Sequence, residues 1–368
     1  MIDLVIDTNI YRKNPKLDNS DFLVVKKLSD ANYLKVKVPY IVQREFQTQQ
    51  REQCKKDLDK SLSGINALLR RPFSTEKFEE IKAIKQIVEE TYDNTLEESE
   101  SYFNNWLHAV GGDVIPLCAE QALNAMEAYF KGESPLTNLK NREDIPDSFI
   151  VQAINKISNE SQEIVVIAED VKVKHSFTGN DKIECYSQLN DFIKTPSVQD
   201  KLKDIDLIVD LPAIFEAINE YEENEAELQS GISWAIGDYI VGSIITDGTI
   251  PDDNNEATIS SFGDVESIEL ELDNLLYYGS GIVGIPFQLE INVDAYYYIF
   301  KADYYGMEYP PSVSEHNDHY YEAEDEFYVT VQGVAIITFD RDNLDFADFS
   351  NSLDLASLKI DSIESIDL

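Results

Sequence analysis

The residues best placed to do chemistry in this sequence are acids at the ends of apolar runs. Asp7 directly follows Ile2-Asp3-Leu4-Val5-Ile6, and Asp170 closes the run Ile164-Val165-Val166-Ile167-Ala168 with only Glu169 between. Glu45 lies a short way beyond Leu34-Lys35-Val36-Lys37-Val38 and Pro39, and Asp147 follows Pro146 at the head of Asp147-Ser148-Phe149-Ile150. Two carboxylates about 5 Å apart repel by roughly 3 kcal/mol at an effective dielectric of 20. Four together destabilise a fold unless protons or cations neutralise them. An all-oxygen ligand set suits Mg²⁺ or Mn²⁺ rather than zinc. Such a site binds phosphate oxygens, lowers the pKa of a bound water and stabilises charge on a leaving oxygen. The expected chemistry is phosphodiester hydrolysis.

Each of these acids has a plainer reading. Asp7 could be a turn former after a strand, and Glu45 could be solvated on a helix. Asp144 competes with Asp147, because Asp144-Ile145-Pro146-Asp147 also serves as a helix start, where acids are favoured. Asp147 is preferred, with Asp144 as a supporting or direct ligand. Glu169 could substitute for Asp170. Asn9, Arg12 and Lys13 lie just beyond Asp7, where they could contact a phosphate backbone; with Lys16, the basic pair could equally be a solvated surface cluster. Arg51, Lys55, Lys56 and Lys60 interleave with Glu52, Asp57 and Asp59, as in a salt-bridged helix face. His316 and His319 could chelate a metal, but an exposed loop is the better reading. Trp106 and Trp234 read as core or interface anchors.

Short apolar runs that end at these acids predict strands, and the stretches between them predict helices. Strands are expected at Ile2–Ile6, Leu34–Val38, Val114–Leu117 and Ile164–Ala168. Helical patterns run from Phe22 to Leu28, over residues 40–70 and 74–108, from Ala119 to Phe130 and from Asp147 to Ile157. That alternation predicts a parallel sheet with helices on its faces, and ligands of such sheets collect outside the carboxyl ends of the strands. Residues 191–210 read as a linker and Leu211–Leu228 as an acidic amphipathic helix. From Glu256 the period changes to two, in Ser267–Leu272, Phe287–Tyr297, Phe327–Ile337 and Leu358–Leu368. This predicts a mainly antiparallel sheet with one solvated, acidic face.

Several of these segments resemble PIN-domain nucleases. Leu4-Val5-Ile6-Asp7-Thr8-Asn9 is similar to the opening motif of that family, and Val38-Pro39-Tyr40-Ile41-Val42-Gln43-Arg44-Glu45-Phe46 to its second. Val114-Ile115-Pro116-Leu117 matches the stretch before the third motif, and Asp147-Ser148-Phe149-Ile150-Val151-Gln152-Ala153 the aspartate that begins the penultimate helix. Ile167-Ala168-Glu169-Asp170 stands at the fourth acid, with Ala168 where the family usually has a hydroxyl residue. The resemblance covers about residues 1–190. The interval from Glu45 to Asp147 exceeds that of compact toxin nucleases, which implies an inserted helical hairpin around residues 50–110. The resemblance implies an α/β PIN-like sheet, a Mg²⁺- or Mn²⁺-dependent endonuclease, and RNA rather than DNA as substrate. A toxin-like or phage-defence role follows from the resemblance alone.

At 368 residues, two domains are expected, a PIN-like domain at 1–195 and an acidic α+β domain at 196–368. The net charge of −40 is unevenly spread. Residues 1–190 hold 31 acidic and 24 basic side chains, residues 191–368 hold 39 and 6, and residues 1–71 hold 9 and 14. The first part can meet a phosphate backbone, whereas the second repels one. The acidic part could be plain solubility, a nucleic-acid mimic that contacts the basic part, or a platform for a cationic protein partner. A homo-oligomer is also open. No apolar run is long enough to span a bilayer, and opening residues without a basic stretch or a long apolar core lead to the expectation of no secretory signal. Three cysteines without metal-type spacing fit a reduced, cytoplasmic protein. The alternative function is a PIN-like binding or regulatory protein without activity, or an interaction protein in which the acidic part does the work.

Overall fold

Every strand of the first unit runs the same way. The computed structural model describes residues 1–136, 145–206, 215, 222–307, 310–339 and 353–368. Unit 1 spans Met1–Thr195 and unit 2 spans Pro196–Leu368. In unit 1 the strands are β1 (Ile2–Ile6), β2 (Leu34–Pro39), β3 (Asp113–Ile115), β4 (Ile164–Ile167) and β5 (Ile183–Tyr186). They form one sheet in the order β3-β2-β1-β4-β5 with parallel pairings throughout. β1 is central, with Leu4 opposite both Val36 and Val165. All four residues of β4 are buried, as expected of a strand covered on both faces.

Helices cover this sheet: α1 (Thr8–Lys13), α2 (Ser20–Asp30), α3 (Tyr40–Leu68), α4 (Thr75–Ala109), α5 (Ala119–Lys131), α6 (Ile145–Glu160), α7 (Val171–His175) and α8 (Leu189–Ile193). Asn19 caps α2 by accepting the Phe22 N–H at 3.3 Å, and Ser74 caps α4 by accepting from Lys77 N–H. α4 stops at Gly111, whose φ of +59° is a left-handed conformation open to glycine. A Cβ on the next residue, Gly112, would strike Leu107 at 2.4 Å. β3 ends at Ile115, short of the expected Leu117, because Pro116 has no N–H to give a ladder. The inserted hairpin is α3 and α4. Its antiparallel register is fixed by Gln43 and Gln47 donating to Asn104, Arg51 to Glu100, and Tyr92 to Asp59.

Unit 2 opens with two helical segments where the sequence reads as linker and acidic helix. α9 (Pro196–Asp206) buries Val198 and Leu202, which is why residues 196–206 are ordered helix rather than linker. The expected helix over 211–228 falls mostly outside the described residues; α10 (Glu222–Ala235) takes in its end and runs further. A short α11 (Gly237–Ile240) precedes β6 (Ile244–Thr246), β7 (Glu256–Leu270), β8 (Leu276–Gly279), β9 (Ile282–Phe300), α12 (Lys301–Tyr304), β10 (Val313–Glu315), β11 (Tyr320–Phe339) and β12 (Leu353–Asp367). These strands make a seven-stranded antiparallel sheet. Alternation along β9 sends Leu289, Ile291, Val293 and Ala295 into a core with Ile232, Ile236, Val329 and Val331. The same alternation leaves Glu290 and Asp294 on the other face, with Glu324 and Glu326 of β11. The architecture is the one the sequence predicts: a PIN-like parallel sheet flanked by helices, then an antiparallel sheet.

Candidate active site

The carboxyl ends of β1 and β4 bring two of the acids to one sheet edge. The Asp7 N–H donates to Ile167 O at 2.9 Å, which ties the residue after β1 to the last residue of β4. Asp7 then caps α1, and its Oδ1 accepts the Thr8 N–H at 2.8 Å. Only 7% of Asp7 is exposed. Thr8 does a second job: its hydroxyl donates to Glu45 Oε2 at 2.8 Å. One threonine therefore holds a carboxylate from the strand end and another from the second turn of α3. Asp147 sits in the first turn of α6, half-buried. Asp170 follows β4 and caps α7, accepting the Lys172 N–H at 2.6 Å.

The electrostatics of Asp7 reflect this crowding. Burial is the main force that pushes its pKa up, to about 7. The charges of Asp147, Glu45 and Asp170 raise it further, against the lowering effect of the Thr8 N–H. Glu45 is also shifted upward by burial, partly offset by the Thr8 hydroxyl. The fully buried Tyr11 feels the Asp7 charge too, although burial dominates its upward shift. Its ring packs against Phe22, Phe46, Phe103 and Trp106 at centroid distances of 5.0–5.8 Å. This aromatic cluster joins α1, which Asp7 caps, to α2, to the helix that carries Glu45, and to α4. Trp106 is thus a core anchor.

The remaining sequence candidates divide. Glu169 is engaged by Lys13 in an ion pair, whereas Asp170 is among the acids acting on Asp7. Asn9 and Arg12 are exposed on α1 near the site, and Lys13 is exposed but paired. Asp144 lies outside the described residues. His316 lies in an exposed loop after β10, against Tyr298 and within 3.6 Å of Glu322. Among the described residues, no three His, Cys, Asp or Glu side chains are gathered tightly enough to hold a metal ion as they stand. The donor chemistry still fits a hard divalent cation, because the crowded groups are all carboxylates and Asp7 is buried. Thr8 is the residue the sequence reading missed as a participant. It stood inside the Asp7-Thr8-Asn9 motif, but nothing in the sequence tells which carboxylate its hydroxyl reaches.

An open parallel sheet flanked by helices, with Asp7 and Asp170 just after two of its central strands, defines an α/β protein. Residues 4–172 match a family model described as a PIN domain, a span that includes Asp7, Glu45, Asp147 and Asp170. No curated protein and no solved structure matches the chain. Among the described residues, no helix is long and apolar enough to cross a membrane.

Proposed function

We propose that this protein is a divalent-cation-dependent nuclease that hydrolyses phosphodiester bonds, with RNA as the preferred substrate. The observation that carries this reading is Asp7, a buried aspartate whose charge is opposed by three neighbouring carboxylates. Holding such a group at that position costs stability and is relieved by a bound cation. Asp7, Glu45, Asp147 and Asp170 are the residues that would hold it, with Asp144 as a supporting candidate. Bound Mg²⁺ or Mn²⁺ supplies Lewis-acid activation of phosphate and water. Thr8 sets Asp7 and Glu45 relative to each other, so that a substrate phosphate meets a fixed edge. Asn9 and Arg12, exposed on α1, are placed for contacts to the backbone of a bound strand.

A second reading, a PIN-type binding protein that does not cleave, is favoured by the finding that, among the described residues, no three acids are gathered closely enough to hold a metal ion. Incubation of end-labelled RNA and DNA with and without Mn²⁺ separates the two. The nuclease reading expects Mn²⁺-dependent cleavage of RNA, abolished by Asp7→Ala or Asp147→Ala and retained in part by Asp144→Ala. RNA retained on a filter but never cut, by a protein of normal fold, supports the binding reading. Full activity in Asp147→Ala with none in Asp144→Ala would show that the other aspartate holds the cation.

A further inference from the structure

Two glutamines and an asparagine fix one another's amides where α3 meets α4. Gln43 Nε2 donates to Asn104 Oδ1 at 2.8 Å, and Gln47 Nε2 donates to the same oxygen at 3.1 Å. Gln47 is 4% exposed, and its amide has only one satisfactory orientation. Its Nε2 also donates to the Glu100 carbonyl at 3.1 Å, while its Oε1 accepts from Arg44 Nη1 at 3.0 Å. Gln47 therefore sets the orientation of Asn104, which in turn sets that of Gln43. Two polar atoms are left over, the Nδ2 donor of Asn104 and the Oε1 acceptor of Gln43. Neither has a hydrogen-bond partner among the described residues.

Gln43 and Asn104 line a recess of about 520 Å³, within the ordinary range for ligand sites. It lies along the free edge of β3, where Val114 and Ile115 make its apolar part together with Leu107 of α4. His108 joins the lining one helical turn beyond Asn104, exposed and without a side-chain partner among the described residues. The only acid of the lining, Asp113, is held by Lys35 at 2.7 Å and Lys37 at 2.8 Å, so its charge is more than balanced. Strand pairing sets the recess beside the candidate site. Ile115 is opposite Pro39, and the β1–β2 register, continued from Leu4 opposite Val36, brings Asp7 level with Pro39. β3 is two strands from β1, so at about 4.8 Å per strand their ends are about 10 Å apart.

We propose that this recess takes an unpaired nucleobase of the strand whose phosphate lies at Asp7. A nucleobase offers what the lining matches, a donor and an acceptor side by side on its edge and a flat face. The left-over amide groups bind the edge, and the His108 ring with the apolar part of the recess takes the face. A base inside a duplex has its pairing edge occupied and its faces stacked, so the recess selects a single strand. This assignment rests on the nuclease reading for its class of ligand, and it deepens that reading by naming the form of the substrate.

Equilibrium binding by the full chain tests it, at pH 8 with a chelator present so that no strand is cut. The probes are a short labelled single-stranded RNA and the same sugar-phosphate chain without bases. Wild type is expected to bind the base-bearing strand at least about tenfold more tightly, the advantage of one stacked and hydrogen-bonded base. Gln43→Ala with His108→Ala should lose most of that advantage and keep the affinity for the base-free chain; His108→Ala alone should lose part of it. Neither side chain is buried, and Gln47 still holds Asn104, so melting temperatures should match that of wild type. Equal binding of the two probes by wild type, or binding of neither, overturns the proposal. So does an advantage that persists undiminished in the folded variants. The cleavage assay with Mn²⁺ is read separately. RNA that is cut without any base advantage overturns the recess alone, and a base advantage without cleavage overturns only the nuclease reading.

Discussion

Asp7 concentrates the energetics of the site in one proton. In the folded, cation-free chain its carboxyl is held protonated up to about pH 7, against 3.8 ordinarily. The folded state therefore binds this proton more tightly than the unfolded state. Its contribution to stability is complete below pH 3.8 and is lost as pH rises to about 7, with a total on the order of 4 kcal/mol before relaxation. Asp7→Asn removes the titration. Between pH 5 and pH 8 without divalent cation, the variant should gain stability relative to wild type, as read from melting temperatures. Parallel pH profiles for the two proteins would contradict the frustrated-carboxylate account. The places of these acids were legible in the sequence because Asp7 and Asp170 follow strands and Asp147 and Glu45 fall in the first two turns of helices, positions that the apolar runs define. The bridging of Asp7 and Glu45 by Thr8 was not, since a hydroxyl partner 37 positions away leaves no local pattern.

The elements show where sequence pattern carries information and where it stops. β1, β2 and β4 were legible as apolar runs, and the long strands of unit 2 as period-two alternation. The helices α1, α7 and α8 span six, five and five residues, too few for a 3.6-residue period to register. β5 was missed because Ile183-Glu184-Cys185-Tyr186 interrupts its apolar character with a glutamate. α9 was read as linker because its apolar face rests on Val198 and Leu202 alone among fully buried residues. The α3–α4 hairpin illustrates how unevenly burial is distributed along its helices. Phe103 is fully buried against Tyr11, Phe46 and Trp106, and Phe103→Ala should cost about 3–5 kcal/mol in denaturant melts. A loss below about 1 kcal/mol would mean that the aromatic cluster does not hold α4 to α1 and α3.

At the scale of the whole molecule, charge is divided more sharply than fold. Residues 191–368 hold 39 acids against 6 bases, while residues 1–71 hold 14 bases against 9 acids. A tethered charge of that sign lowers the local concentration of a polyanion wherever it sits, and salt screens the effect over a Debye length of about 8 Å at physiological ionic strength. A chain ending at Thr195 should therefore bind RNA more tightly than the full chain at low salt, with the difference closing as salt rises. Equal affinities at low salt would leave the acidic region to solubility or to a cationic partner. This asymmetry was fully legible, because it is a count along the chain. What the acidic sheet face meets was not, because alternation assigns residues to a face and says nothing of what lies against it.

The central claim is that the carboxylates around Asp7 hold a divalent cation, and thermal melting with and without Mn²⁺ tests it most directly. A cation that binds only the folded state stabilises it by about 2.7 kcal/mol at a hundred times its Kd. Wild type should therefore melt at a higher temperature as Mn²⁺ is added at pH 8, where Asp7 is ionised. Asp7→Asn should be more stable than wild type without the ion and show little further rise with it. An equal Mn²⁺-induced rise in both proteins would contradict the account, because the cation would then be bound without Asp7.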